Sequence, residues 1–544
     1  MPAPAASPRR KLAFILALGI FAATHATAGS TIGEAIYRSG LQPSGPPIVA
    51  EREAGMRIEG PAAACVNCHR RSGLGMKEGR RSIPPIAGIY LFHPRARTAD
   101  DLDLPYVEGM RADRDPYTDA TLARAIREGI GANGSPLSYL MPHYRLDDAQ
   151  MAELIAYLKQ LSPGAVPGVT NSVLHFATIV TPDADAAKRK GVLEVLDKFF
   201  IEKNLRTRAE SPRLHSSRRM MFMVNRHWEL HVWELTGAPE TWEAQLRAKL
   251  AAQPVFAVIS GIGGRTWAPV HHFCEQALLP CLFPNVDLPV IAENDFDSLY
   301  LSKGVLLESQ LIAHELLEQD SRARVHRVIQ VFRDADIGKD AAGSLSTTLA
   351  GRGIATLERP LPVSASAQDL KSALRDLKDD DALVLWLRAA DIAALGERPD
   401  KLPTVYLSGR MSGLENAPIP AAWRRITHMA YPFDLPERRR VRLDYPLGWF
   451  RIRQIPVVAE QEQADTYLVC GLLSDTLNHM VDTFVRDYLV ERIEEMLEHR
   501  VITGYYPRLT LAPGQRFASK GGYVVHFAAD TGTRVVADGD WIVP

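Results

Sequence analysis

The chain has 544 residues, 46% of them hydrophobic and 23% charged, and its formal net charge at pH 7 is -1. This composition excludes a disordered chain, and the charge balance lacks the basic excess of a nucleic-acid-binding protein. At about 150 residues per domain, the length predicts roughly three or four folding units.

The N-terminus has the pattern of an export signal. Arg9-Arg10-Lys11 precede an apolar run from Leu12 to Ala23, and Ala26-Thr27-Ala28 offers small residues for cleavage before Gly29. The apolar run is well short of the roughly 20 residues that cross a bilayer. Residues 1–28 are therefore predicted to be a signal peptide, and the mature protein to be soluble and periplasmic, with no membrane span.

The pentapeptide Cys65-Val66-Asn67-Cys68-His69 is the most specific motif of the chain. Two thiols at this spacing each form a thioether to one haem vinyl group, and the histidine that follows lies beneath the iron as its proximal ligand. We therefore expect one covalently attached haem c, held by Cys65, Cys68 and His69. Because haem is attached after translocation, we favour export of the unfolded chain over twin-arginine export of a folded one.

Two other kinds of site could explain the same pair of cysteines. One is half of a zinc site and the other is a thioredoxin-like redox pair. A zinc site needs a second pair of ligands, and the chain has no other Cys-x-x-Cys. A redox pair lies between a strand and a helix, whereas the loop-like sequence Arg70-Arg71-Ser72-Gly73-Leu74-Gly75 follows this one.

The sixth iron ligand is predicted in the segment from Leu140 to Met151. Met141 precedes a stretch with apolar residues at helical spacing, whose start Asp147 or Asp148 can cap. This segment resembles the C-terminal part of class I cytochrome c, in which a methionine in a loop precedes the last helix. Ligation by His69 and Met141 would saturate the iron, as an electron carrier requires.

The resemblance to class I cytochrome c extends to two other segments. Gly33-Glu34-Ala35-Ile36-Tyr37 looks like the first helix of the family, and Ile83-Pro84-Pro85-Ile86-Ala87-Gly88 looks like its proline loop. In that family a proline carbonyl accepts a hydrogen bond from the proximal histidine, which implies this role for Pro84 or Pro85. The chain departs from the family by about two dozen extra residues before Cys65 and by an insertion from Phe92 to Tyr117.

The resemblance implies an all-α haem domain at residues 29–162. The insertions supply competitors for the sixth position, namely Met76, Met110 and His93, and His143 stands two residues after Met141. A Pro- and Gly-rich linker is predicted at residues 163–171.

From residue 172 the pattern alternates between strands and helices. Strands are predicted at 173–180, 227–235, 255–260, 325–332 and 382–387, and helices at 186–203, 241–251, 306–317, 341–349 and 367–377. Such alternation indicates parallel α/β layers in two successive lobes. We expect lobe 1 at about 172–298 and 430–500, lobe 2 at about 299–429, and closing strands at 501–544.

Together with export, three segments of this module resemble the type I periplasmic solute-binding proteins, specifically the branched-chain amino-acid receptors of ABC importers. The segments are 258–269, 279–284 and 331–338. The resemblance implies two lobes that clamp a small ligand in the cleft between them. Ile337 stands where that family usually has an aromatic residue over the ligand.

A glycine-rich turn follows the predicted strand at 255–260. Its backbone amides at Gly261 and Gly263, with Arg265 and the Thr266 hydroxyl, predict a site for an anionic group, and a carboxylate-bearing ligand such as an amino acid is the natural candidate. The alternative is that the glycines only make a tight strand-to-helix turn.

The remaining cysteines and charged runs leave several interpretations open. Cys274 and Cys281 either pair in a disulfide or stay reduced with Cys470. A solvated acidic stripe is predicted on a long helical stretch that breaks near Gly471, and its members are Glu491, Glu494, Glu495 and Glu498. An exposed basic run is predicted at Arg438-Arg439-Arg440. Closing strands are predicted at 505–509 and 523–527.

These features predict a periplasmic cytochrome that transfers single electrons, fused to a small-molecule-binding module. Its expected partner is a periplasmic dehydrogenase or another cytochrome, and no catalytic residues are predicted. One alternative is a solute-binding receptor or sensor in which the haem is structural or regulatory. A haem enzyme with an open sixth position is the other.

Overall fold

The computed structural model describes residues 31–544 except 43–44, 53–54, 79–80, 93–114, 162–164, 211–225, 320–324, 326, 379, 399–403, 481–482 and 530. The predicted signal peptide and the candidate ligands His93 and Met110 therefore lie outside the described residues. Two compact units divide the chain. One contains Met1–Asn67 and Tyr117–Gln160, and the other contains Cys68–Pro116 and Leu161–Pro544.

The first unit combines three helices with a small antiparallel sheet. The helices are Ile32–Ser39, Asp119–Glu128 and Asp148–Gln160, and the strands are β1 (Val49–Arg52), β2 (Met56–Glu59) and β5 (His143–Tyr144) in the order β2-β1-β5. Thr118 begins the second helix with a capping box, and Gly129 ends it in a left-handed conformation with φ of 70°.

This sheet contradicts the all-α architecture predicted for the haem domain. The extra residues between the first helix and Cys65 form the β1–β2 hairpin, and the segment after Met141 adds β5 at its edge, where Ala50 pairs with Tyr144. A second hairpin, β3 (Met76–Glu78) with β4 (Arg81–Ile83), follows the haem motif in the other unit. The inserted chain satisfies its backbone groups by pairing as strands.

The second unit contains two α/β lobes, as the alternating pattern predicted. The first lobe has a parallel sheet in the order β10-β9-β8-β6-β7. Its strands are β6 (Val173–Val180), β7 (His227–Glu234), β8 (Ala257–Ile259), β9 (Cys281–Leu282) and β10 (Ser298–Leu299).

The second lobe has a seven-stranded sheet in the order β12-β11-β13-β14-β15-β16-β17. Its first five members are parallel to one another, β16 pairs antiparallel with β15, and β17 pairs antiparallel with β16. The strands are β11 (Arg327–Arg333), β12 (Ala355–Leu361), β13 (Asp381–Trp386), β14 (Val405–Ser408), β15 (Thr427–Tyr431), β16 (Tyr523–Phe527) and β17 (Val535–Ala537).

Helices of varied length accompany these sheets and the haem motif. They are Val66–His69, which crosses from one unit into the other, and Gly88–Phe92, Ala186–Glu210, Trp242–Ala252, Ala268–Gln276, Val305–Gln319, Gly338–Ala350, Ala367–Ala373, Ala389–Ala393, Gly409–Ser412, Ala421–Arg424, Pro436–Ile452, Glu460–Met480 and Arg486–His499.

Several predictions for the C-terminal part were wrong. Gly471 lies inside the helix Glu460–Met480, and the next helix begins only at Arg486, so the break is not at Gly471. Residues 505–509 do not form a strand, whereas 523–527 do. The basic run lies in the helix Pro436–Ile452, where Arg439 is buried and pairs with Glu415.

The structure settles the state of the three cysteines outside the haem motif. Cys274, near the end of the helix Ala268–Gln276, forms a disulfide with Cys281 at the start of β9. Cys470 is a buried thiol inside the helix Glu460–Met480. Within the described ranges, none of the helices combines the length and the apolar character needed to cross a membrane.

Candidate haem and ligand sites

The haem motif ends in a sharp change of chain direction. Cys68 and His69 close the short helix Val66–His69, and Arg70 then adopts a left-handed conformation with φ of 63°. Cys65 and Cys68 are partly buried, and His69 is only 6% exposed. The chain therefore presents both cysteines and fixes the imidazole within a single helical turn.

A proline carbonyl orients the His69 ring. His69 Nδ1 lies 3.0 Å from the Pro84 carbonyl oxygen. Because a carbonyl can only accept a hydrogen bond, Nδ1 carries the hydrogen and Nε2 keeps its lone pair. Of the two candidate prolines, Pro84 makes this contact.

The same surroundings keep the His69 ring uncharged. Burial lowers the pKa of the imidazole to about 4, and the bond to the Pro84 carbonyl opposes this shift only in part. A neutral histidine with a bare Nε2 is the form that ligates iron. These residues therefore fit a haem attached through Cys65 and Cys68, which would have His69 as its proximal ligand.

Gly75 makes room for the Pro84 segment. Its φ is +75°, and a Cβ atom at this position would lie 2.0 Å from the Ile83 carbonyl oxygen. The Gly75 amide donates to the His69 carbonyl oxygen at 3.1 Å. Glycine thus allows the two backbones to approach closely enough for Pro84 to reach His69.

Buried ion pairs hold the residues after the motif against the α/β module. The Glu494 carboxylate, on the helix Arg486–His499, accepts hydrogen bonds from both Arg70 and Arg516. The Arg70, Arg516 and Glu494 side chains are 12%, 7% and 3% exposed. Such charges are stable away from water only while each keeps its partner.

A second carboxylate on the same helix holds Ser72. Glu491 accepts the Ser72 backbone amide at 2.9 Å and the Ser72 hydroxyl at 2.5 Å. Burial raises the pKa of Glu491 to about 7, although the Ser72 bonds and Arg70 oppose the rise. Leu74 and Ala87 belong to the same hydrophobic core cluster as residues of both lobes.

The predicted solvated acidic stripe is therefore wrong for two of its four members. Glu491 and Glu494 are buried, whereas Glu495 and Glu498 are exposed. Arg71 adds to the contact, because its Nε lies 3.2 Å from Asp487 Oδ2 and its guanidinium lies over the Phe296 ring. Of the residues that bind this helix, Arg70, Arg71 and Ser72 directly follow the haem motif, whereas Arg516 comes from the C-terminal part of the chain.

Met141 lies in a bend of the first unit. Its amide donates to the Ser138 carbonyl oxygen at 2.9 Å, and the residue is partly buried. At the end of β5, the Tyr144 hydroxyl donates to the Ala63 carbonyl oxygen at 2.9 Å. The strand that follows Met141 is thus tied to a residue just before Cys65.

The structure also gives the positions of two competing candidates for the sixth iron ligand, His143 and Met76. A Cβ atom on Gly129 would lie 2.4 Å from His143 Nε2, so the His143 ring packs on that glycine backbone. Met76 pairs with Ile83, next to Pro84, in the hairpin that orients His69. Met76 therefore lies beside the segment whose Pro84 carbonyl oxygen contacts His69.

The glycine-rich turn after β8 has its amides occupied. The Gly264 amide donates to Thr181 Oγ1 at 3.1 Å, and the Arg265 amide donates to Asp183 Oδ2 at 2.8 Å. A Cβ on Gly261 or Gly263 would collide with the Trp267 ring.

This arrangement does not favour the anion site predicted at Gly261, Gly263, Arg265 and Thr266, which stays a prediction. The Asp183 carboxylate takes the place of a ligand anion, and the Arg265 side chain is exposed. The turn is a close strand-to-helix connection, because its glycines lie against tryptophan.

The cleft between the lobes is bridged by charges that the sequence did not indicate. Asp287, from the first lobe, accepts from Arg410 Nη2 of the second lobe at 2.7 Å and lies 3.7 Å from Arg388. Lys188 Nζ lies 3.6 Å from Asp287 and 2.6 Å from Glu462. These cations hold the pKa of Asp287 well below its usual range, even though burial opposes the shift.

Two polar atoms in this cleft lack a hydrogen-bond partner among the described residues. They are Arg410 Nη1 and Asp465 Oδ1. Both residues line the same cavity between the lobes, together with Tyr506, whose hydroxyl contacts both side chains. Burial raises the pKa of Asp465 to about 7. Ile337 does not line this cavity but is buried in the core of the second lobe.

Residues 57–162 match the family model described as cytochrome c. This match confirms the predicted cytochrome c domain, and the family implies a covalently bound haem. The chain therefore joins a cytochrome c domain to a two-lobed α/β module. No curated protein matches the chain.

Solved structures that match this chain include substrate-binding proteins. They include a fatty acid ABC transporter substrate-binding protein from Thermomonospora curvata, with 14% identity, a TM-score of 0.48, and coverage of 70% of this chain and 95% of that one. A leucine-binding protein from Thermotoga maritima has 12% identity, a TM-score of 0.46, and coverage of 68% and 99%. Because these TM-scores are below 0.5, they do not establish the fold. The two sheets described above show the two-lobed architecture.

The Gly75 contact predicts a change in the haem potential. Gly75→Ala should push the Ile83–Pro84 backbone away and weaken the His69 bond, which makes His69 a poorer electron donor to the iron. We expect the midpoint potential, measured by redox titration, to rise by roughly a few tens of mV.

The control is Gly134→Ala. Gly134 also has a left-handed φ, of +82°, but nothing lies within 4 Å of its added Cβ. Equal potentials in the two variants would contradict the role given to Gly75.

Proposed function

We propose that this chain is an exported c-type haem protein that transfers single electrons and whose haem segment is anchored to an α/β binding module. The observation that carries this proposal is the His69–Pro84 hydrogen bond at 3.0 Å within a Cys-x-x-Cys-His motif. Haem supplies a redox-active iron when bound. The chain's part is to fix the histidine tautomer and to exclude water from the proximal side.

We infer that Met141 is the distal ligand. The tie between Tyr144 and Ala63 supports this role, because it keeps the Met141 segment next to the residues that precede Cys65. The packing of His143 on Gly129 argues against the nearby histidine. Ligation by a thioether raises the potential and leaves no open position for oxygen chemistry. An electron carrier is therefore favoured over a haem enzyme.

Its redox partner in this proposal is a periplasmic dehydrogenase or another cytochrome. The coupling to the module is supported by the buried contacts of Arg70 with Glu494 and of Ser72 with Glu491. A movement of the helix Arg486–His499 must be transmitted to the residues that follow His69. Changes in the α/β module would thereby alter the surroundings of the iron.

The interlobe cleft supports a ligand-binding role for the module, which is also what a receptor with a structural haem would need. A small ligand with a carboxylate, such as an amino acid, would pair with Arg410 Nη1, and a donor group on it would satisfy Asp465 Oδ1. Such a ligand must enter beside the Lys188–Glu462 ion pair. Arg410 thus replaces Arg265 as the proposed anion-binding residue.

The ligand set is tested by absorption spectroscopy of haem-loaded protein. We expect the oxidised form to show the weak long-wavelength sulfur-to-iron band, and Met141→Ala to abolish it and to let the ferrous form bind carbon monoxide. Met76→Ala is the matched control and should keep the band. A band that survives Met141→Ala but disappears in Met76→Ala would reverse the assignment.

The anchoring is tested by Glu494→Gln. Without this carboxylate, Arg70 and Arg516 lose their buried counter-charge, so the free energy of unfolding should fall by about 3–5 kcal/mol. The midpoint potential should rise because a negative charge near the haem segment is removed.

Glu495→Gln is the control on the same helix, since Glu495 is exposed and pairs with Arg492. Stability should change little there. A Glu494→Gln protein that is less stable but has an unchanged potential would mean that the anchor is structural only.

Ligand binding is tested by a thermal-shift screen of the common amino acids and short carboxylates against the haem-loaded protein. A compound that raises the melting temperature should lose at least tenfold in affinity in Arg410→Gln, a loss of about 1.4 kcal/mol. Arg265→Gln should bind it normally. The opposite ranking would restore the glycine-rich turn as the binding site, and equal binding by both variants would exclude both arginines.

A further inference from the structure

We propose that His175, Glu229 and His231 form a binding site for a divalent transition metal on the first lobe, separate from the haem iron. The three residues lie on neighbouring parallel strands, β6 and β7. His175 is paired with Glu229 in the register of the two strands. His231 is two residues further along β7, so its side chain lies on the same face as Glu229.

The donor atoms have the spacing of a metal's coordination shell. His175 Nδ1 lies 3.1 Å from His231 Nε2 and 3.5 Å from Glu229 Oε2, and His231 Nε2 lies 3.9 Å from Glu229 Oε1. Bonds of 2.0–2.1 Å in a tetrahedral site separate neighbouring donors by about 3.3 Å. Small side-chain shifts would thus bring all three donors onto one ion.

The site is both supported and accessible. The His175 and His231 side chains are 16% and 21% exposed, whereas Glu229 is 51% exposed. Both histidines come from regular strands, and their rings stack with centroids 5.3 Å apart. The histidines are therefore held in place while the glutamate side remains open for a metal to enter.

In a second cluster of possible metal ligands, His271, Glu275 and Asp295, the donor atoms already have partners within the protein. His271 Nδ1 lies 2.8 Å from the Tyr300 hydroxyl and its Nε2 lies 2.8 Å from Asp295 Oδ2. The Glu275 carboxylate accepts the amides of residues 296–298. Those groups stabilise the fold of the lobe, so we assign the metal to the His175 cluster alone.

The donor set defines the class of metal. Two imidazoles and one carboxylate suit zinc, copper, nickel or cobalt ions, and are poor ligands for calcium or magnesium. Three protein ligands leave a fourth position for water or another molecule. Without a metal, the two rings share a single hydrogen between Nδ1 and Nε2, which is the competing explanation of their close approach.

The test uses the haem-loaded full chain, freed of adventitious metal with a chelator and titrated with Zn²⁺ by calorimetry. We expect one high-affinity site per chain and at least a tenfold loss of affinity in His231→Gln and in Glu229→Gln. Cu²⁺ bound at the same site should show two nitrogen couplings by electron paramagnetic resonance, and His231→Gln should leave one.

The control is His314→Gln, because His314 is an exposed histidine on the helix Val305–Gln319. Unchanged haem absorption and melting temperature in the metal-free variants would show that they are folded. If His231→Gln binds Zn²⁺ as tightly as the wild type does, or if the wild type takes up Zn²⁺ only weakly, the two histidines are a hydrogen-bonded pair and the proposal is overturned.

Discussion

The Glu494 carboxylate, shared between Arg70 and Arg516, is the interaction on which the arrangement of the haem segment depends. Removing any member of this group would leave a buried charge without its partner. The resulting loss of stability is larger than that from breaking an ordinary surface ion pair. Ser72 and Glu491 add a second buried contact beside it. The chain that leaves His69 is therefore part of the α/β module, although by sequence it belongs to the cytochrome c domain.

The same principle operates in the cleft between the lobes. Asp287 faces Lys188 from its own lobe and Arg388 and Arg410 from the other. The cations outnumber this carboxylate, and Glu462 balances Lys188. The lobes are thus held together by their own charges, and a ligand must compete with these internal partners for Arg410.

Carboxylates also account for two places where the structure differs from what the sequence predicted. Four glutamates at helical spacing ordinarily mark a solvated face, but Glu494 is buried because an arginine 424 residues away pairs with it. The glycine-rich turn was likewise predicted to bind an anion, but the Asp183 carboxylate already accepts a hydrogen bond from the Arg265 amide. Charge partners that are distant in sequence cannot be inferred from helical or strand periodicity.

The sequence by itself determined the chemistry of the haem motif, since thioether attachment and proximal ligation require a fixed local spacing. It also determined the two α/β lobes, because the alternation of hydrophobic periods is a local property. Only the tertiary structure decided which glutamates are buried, which charges fill the cleft, and that His175 and His231 meet across two strands. Those features depend on strand order and on contacts between remote segments, which no local pattern records.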